Sequence, residues 1–78
     1  MIEELIEDED WTVRYGVAVN SNAPTEVLRK LVEDNELTVR IAVSRNPSTP
    51  VDILRKLAED ENSYVWESAK SQLRERGQ

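Results

Sequence analysis

The stretch Leu31-Val32-Glu33-Asp34-Asn35-Glu36-Leu37-Thr38-Val39-Arg40-Ile41-Ala42-Val43-Ser44-Arg45-Asn46-Pro47-Ser48-Thr49-Pro50-Val51-Asp52-Ile53-Leu54-Arg55-Lys56-Leu57-Ala58-Glu59-Asp60 ends on the phrase with which it begins. Leu57-Ala58-Glu59-Asp60 follows Leu31-Val32-Glu33-Asp34 after 26 residues, and Leu5-Ile6-Glu7-Asp8 precedes it by the same interval. The shift also carries Thr12-Val13-Arg14 onto Thr38-Val39-Arg40, Asn20 onto Asn46 and Pro24 onto Pro50 without a gap. A fixed period of roughly 20–50 residues marks a solenoid, in which each unit buries its apolar side only against its neighbours. The 78 residues divide into units 1–26, 27–52 and 53–78 of a single domain.

Each unit reads as two short helices. Thr49-Pro50-Val51-Asp52 is a start signature: Thr49 is placed to accept from a first-turn amide, Pro50 suits the first helical position, and Asp52 complements the helix dipole. Ile53, Leu54, Leu57 and Ala58 then form one helical stripe, opposite Arg55, Lys56 and Glu59. Val27, Leu28, Leu31 and Val32 repeat that stripe, as do Met1, Ile2, Leu5 and Ile6. This is helix A. Helix B follows an acidic connector and places Val39, Ala42, Val43 and Asn46 on one face, matched by Val13, Gly16, Val17 and Asn20. Gly16, Ala42 and Ser68 share a column of small residues, which predicts close approach of a neighbouring helix. Asn46-Pro47 ends helix B, because a residue before proline is pushed out of the helical region.

The expectation is six helices in the order A-B-A-B-A-B, some of them short enough to wind as 3₁₀. Isolated helices below about 12–15 residues are marginal in water, so stacking must supply the stability. In unit three the turn proline gives way to Leu73, which predicts a helix B running to about Arg76 with Gly77 as its stop and Val65, Ala69 and Leu73 inward. Departures from the pattern at both ends lead to the expectation of a complete small domain.

Composition limits the chemistry. The chain has no cysteine and no histidine, so disulfides and nitrogen- or sulfur-ligated metals are excluded and no cofactor is expected. No apolar run reaches the roughly 18 residues of a membrane span, and no signal-peptide pattern opens the chain, so cytoplasmic is the default expectation. The net charge of −6 is concentrated at the start: Glu3, Glu4, Glu7, Asp8, Glu9 and Asp10 stand without a basic residue, and the remaining acids and bases balance. An acidic end cap that keeps the stack soluble explains this run; a docking surface for a basic partner is the alternative. No cationic stripe favours a phosphate backbone, so nucleic acid is a disfavoured partner. Without histidine, cysteine or a glycine-rich phosphate loop, catalysis is not expected.

Residues 38–60 closely resemble the bacterial leucine-rich repeat variant. That resemblance implies an all-α, right-handed superhelix in which α-helices alternate with shorter, often 3₁₀, helices. Unit one departs from it, with Asn20-Ser21-Asn22-Ala23-Pro24 in place of the usual Asn-Pro turn, and unit three fits only through its A helix. The last B helix looks more like a HEAT repeat, whose pattern pairs an aspartate with an arginine six residues later. Asp8 with Arg14 and Asp34 with Arg40 keep that spacing, whereas Asp60 meets Trp66. Some proteins with the variant hold a cysteine-bound iron–sulfur cluster, which a chain without cysteine cannot inherit. Helical-repeat relatives include scaffolds, lyase-type partners and DNA-lesion binders.

Five residues are candidates for protein binding: Tyr15, Ile41, Trp66, Arg14 and Arg40. Arg14 and Arg40 stack 26 residues apart, either as an inter-unit ladder with acidic connectors and helix-end carbonyls or as a ligand-facing ridge. Trp66 takes the third rung, to cap the ladder or to anchor a partner. Tyr15, Ile41 and Glu67 form a column about 160–200° round helix B from Val13, Val39 and Val65. They are either an exposed inner face or packing against helix A. Trp11, in register with Leu37 and Ser63, is expected to be core or a helix-start staple. These readings converge on a module that docks an unidentified protein or peptide, with a homodimer buried through Trp66 and Tyr64 as the second reading.

Overall fold

The computed structural model describes residues 10–77. They form five α-helices and, among the described residues, no strand: α1 (Trp11–Ala18), α2 (Thr25–Leu31), α3 (Leu37–Arg45), α4 (Val51–Leu57) and α5 (Ser63–Glu75). Helices α1, α3 and α5 are the expected B helices; α2 and α4 are the A helices of units two and three. The stretch expected to form the first A helix, with Met1, Ile2, Leu5 and Ile6 and the acidic run Glu3 to Glu9, lies outside the described residues. The five spans wind as α-helix, not 3₁₀.

The stripes read from spacing are the buried faces on α2 to α5; on α1 only Val17 of the expected face is buried, beside Ala18, while Val13 is half-buried and Gly16 and Asn20 are exposed. Val27, Leu28, Leu31 and Val32 face inward from α2 and its end, Ile53, Leu54 and Leu57 from α4, and Val39, Ala42 and Val43 from α3. Val65 and Ala69 are fully buried on α5, with Leu73 packed against the same core. Helix α3 stacks directly on α1 and on α5; α2 bears on α1 and α3, and α4 on α3 and α5. One continuous core results. Each fully buried leucine or valine in it contributes about 1.5–3 kcal/mol. Helices of seven to nine residues persist because this burial outweighs their weak intrinsic stability.

Helix ends follow local chemistry. Asn46 is extended (φ −70°, ψ 122°) before Pro47 and stops α3. Arg76 caps α5, and Gly77 takes the left-handed turn at φ 76° that a glycine tolerates best. Three expectations are corrected. Thr49 does not open α4: the residue flanking that helix is Pro50, and the buried Thr49 hydroxyl donates 2.7 Å back to the Val43 carbonyl, closing α3. Its position one residue before Pro50 points the hydroxyl at the previous helix. Gly16 marks no close helix approach, since a Cβ there would meet nothing within 4 Å, while Ala42 in the same column is buried. Trp11 is neither core nor staple. It is 40% exposed and rests edge-on against Tyr15, ring centroids 6.3 Å apart.

Candidate protein-interaction face

Two sets of polar contacts run between units and decide which side chains are available for anything else. In the first, the acidic connectors receive arginines from helix B. Arg14 Nε and Nη2 donate to the two carboxylate oxygens of Asp34 at 2.7 and 3.1 Å, a bidentate pair. Its side chains keep only 12% and 6% of their surface exposed. Arg40 repeats the geometry one unit on, with Nε 3.0 Å from Asp60, and its Nη1 also reaches the Asp34 carbonyl at 2.8 Å. Asp34 and Asp60 each accept a further bond from the amide two residues ahead, at 2.8 Å from Glu36 and 2.9 Å from Asn62. The arginine therefore bonds the next unit's aspartate side chain, and the aspartate six residues before Arg40 supplies its main-chain oxygen. Both guanidinium groups are committed to this ladder.

In the second set, side chains from one turn cap the carbonyls of the preceding one. Buried Asn46 donates through Nδ2 to the carbonyls of Ala18 (2.8 Å) and Asn20 (2.9 Å), and its Oδ1 accepts from Ser48 N at 2.9 Å. Ser48 Oγ donates to the Ser21 carbonyl. Arg76 does the same for the turn before it, donating to the carbonyls of Asn46 (3.3 Å), Pro47 (2.9 Å) and Thr49. Among the described residues no buried side-chain nitrogen or oxygen lacks a partner. The repeat of Asn20 at Asn46 marked the end of helix B but not these bonds to the preceding unit; Arg76 stands out of register and carried no sequence signal.

A face of α1, α3 and α5 remains. Tyr15 (39% exposed), Val19 (48%), half-buried Ile41 and exposed Pro47, with Thr38 and Arg45, line a groove of about 270 Å³ between α1 and α3. Tyr15 and Ile41 are thus brought together, as their shared column predicts. Between α3 and α5 lies a wider, more open groove of about 540 Å³, lined by Arg45, half-buried Trp66, Glu67, Lys70 and Arg74 among others. Lys70 Nζ stands 4.6 Å from the centroid of the Trp66 ring, a cation–π contact. Arg45 lines both grooves and joins them. Sequence reading passed over Arg45, Lys70 and Arg74, although Trp66, Lys70 and Arg74 are spaced by four residues and so share a helix face.

On the A helices two exposed cations have found carboxylates and two have not. Arg29 donates to Asp52 at 2.8 Å and Lys56 to Glu33 at 2.7 Å, which holds both acids below their ordinary range, while Lys30 and Arg55 form no ion pair among the described residues. On the α3–α5 groove, Arg45, Lys70, Arg74 and Glu67 form no ion pair among the described residues. No helix of the described residues is long and apolar enough to cross a membrane.

No curated protein and no solved structure matches the chain. Residues 37–62, one full period holding α3, the turn 46–50, α4 and the connector after it, match the family model described as leucine rich repeat variant, and over that period the resemblance carried by the sequence is shown.

Proposed function

We propose that the chain is a right-handed superhelical stack of three two-helix units that works as a non-enzymatic protein-interaction module, with the α1–α3–α5 face as its docking surface. The observation that carries this reading is the pairing of Tyr15 and Ile41, 26 residues apart, in one groove with Val19 and Pro47. Large apolar side chains left accessible on a single face are a mark of recognition surfaces. The face is preformed, because the helices that present it are locked behind by the arginine–aspartate ladder and the Asn46 caps. A rigid surface lowers the ordering cost of binding. Helical repeats of this kind supply extended surfaces by stacking.

The test is a double substitution, Tyr15→Ser with Ile41→Ser. The variant keeps the helical circular dichroism signal and loses the partners that the parent chain captures from its source cell. Loss of helix would assign both residues to the core, and an unchanged set of captured partners would remove the face from consideration.

Self-association is the second reading, favoured by one observation: Tyr64 is 68% exposed at the start of α5, the most accessible large apolar side chain among the described residues. Sedimentation at tens of micromolar separates the two, since a monomer at that concentration ends the dimer reading.

A further inference from the structure

The face changes character along its length, and the change identifies its occupant. Positions 26 residues apart run from apolar to charged: Tyr15, Ile41, Glu67 in one column and Val19, Arg45, Ser71 in the next. The apolar end is the α1–α3 groove, and the charged end is the α3–α5 groove with Arg45, Lys70 and Arg74. These three cations line one groove of a chain of net charge −6 and form no ion pair among the described residues; of the other exposed cations, Arg29 and Lys56 pair with carboxylates, while Lys30 and Arg55 stand apart on the A helices. Here the only carboxylate lining the groove, Glu67, forms no ion pair among the described residues. A local surplus of positive charge beside an apolar slot, on an otherwise acidic molecule, is complementary to a ligand that is both apolar and acidic.

We infer that the docking face takes an acidic peptide with an apolar anchor. The anchor seats against Tyr15, Val19, Ile41 and Pro47, and the carboxylates that follow it meet Arg45, Lys70 and Arg74. This rests on the interaction reading above and adds the chemistry of the partner. A carboxylate-bearing peptide fits better than a nucleic acid. Three cations neutralise few phosphates, while the rest of the chain and Glu67 repel a long polyanion. Complementary charge of this kind acts on encounter rate and register, with the apolar anchor holding the complex.

Fluorescence anisotropy with short labelled peptides tests it. The probes are a leucine pair followed by a run of glutamates, the same peptide with lysines for the glutamates, and the glutamate peptide with serines for the leucines. The glutamate peptide binds saturably and weakens as salt is added; the lysine and serine versions bind at least about tenfold more weakly, by the cost of like-charge contact or of the lost anchor. Lys70→Glu with Arg74→Glu, both on exposed positions of α5, lowers the glutamate peptide's affinity by at least about tenfold, and Glu67→Gln does not lower it. If the charge-reversed chain loses helix, the salt dependence of the parent chain decides instead. Equal binding of the lysine peptide, with sensitivity to Tyr15→Ser and Ile41→Ser, overturns the acidic occupant but leaves the docking face. Failure of every peptide sinks both readings. A single-stranded oligonucleotide that binds more tightly than the glutamate peptide overturns the inference in favour of nucleic acid.

Discussion

Asp34 joins neighbouring units through both its side chain and its backbone. Its carboxylate holds Arg14 from the preceding helix B and the Glu36 amide that begins the next one, while its carbonyl takes Arg40. Removing it leaves a mostly buried guanidinium without this partner, and breaking one side of such a pair costs about 3–5 kcal/mol. Asp34→Ala is therefore expected to remove a large share of the roughly 5–15 kcal/mol typical of a folded domain. Arg29→Ala breaks an ion pair whose partners are 55% and 62% exposed, and solvent screening makes its loss far smaller. Urea titration of the two variants checks the contrast; equal losses would mean that burial does not set the value of these pairs. Acid acts at the exposed sites as well. Asp10 is held below its ordinary 3.8 chiefly by the Thr12 hydroxyl, Glu33 below 4.5 by Lys56 and Asp52 below 3.8 by Arg29. Each favours the folded state above its ordinary value, and that contribution is lost as pH falls through the lower folded-state value. Thermal midpoints should hold level from neutral pH to about pH 5 and decline below about pH 4, with a shallower decline in Asp52→Asn.

Among the helices, the starts of α1, α3 and α5 differ in a way the repeat makes easy to compare. Asp10 and Asn62 accept from the amides of Thr12 (3.0 Å) and Tyr64 (2.9 Å), but Glu36, in the same register, makes no side-chain cap. Its side chain is one methylene longer than aspartate and does not close the short ring that a cap requires. Glu36→Asp keeps the charge and supplies that acceptor, so it should stabilise the chain by about 0.5–2 kcal/mol, seen as a rise of several degrees in the thermal midpoint. An unchanged or lower midpoint would show that the connector cannot bring the carboxylate to the amide. The same comparison shows how far sequence reading reaches at this scale. Thr49 looked like a cap because threonine before Pro-Val-Asp commonly is one. Which carbonyl or amide its hydroxyl meets depends on how the turn folds back, and here that is Val43 of the preceding helix.

Across the whole molecule the units are joined by bonds that skip 20 to 30 residues, so the helices should melt together. Arg76 is the most economical test of that coupling, since it spans from the end of α5 to three carbonyls of the turn 46–50. Arg76→Ala should cost about 1.5–3 kcal/mol, the range for hydrogen bonds to a charged group. Hydrogen exchange in that variant should quicken at Ser48 and Thr49 as well as in α5. Faster exchange confined to α5 would mean the turn is held by Asn46 and Thr49 alone.

Sequence by itself determined the period, the all-helical class, the inward stripes of α2 through α5, the stop at Asn46-Pro47 and the glycine end at Gly77, because these depend on helical pitch and backbone sterics that act over a few residues. Only the tertiary structure decided that Arg14 reaches forward to Asp34, that Arg76 returns to a turn thirty residues behind it, and that Trp11 stands in solvent while Leu37 in the same register is half-buried. It also joined Arg45, Lys70 and Arg74 beside Trp66. Such meetings depend on the register with which one helix stacks on the next, and a one-dimensional spacing carries that register only where both partners repeat.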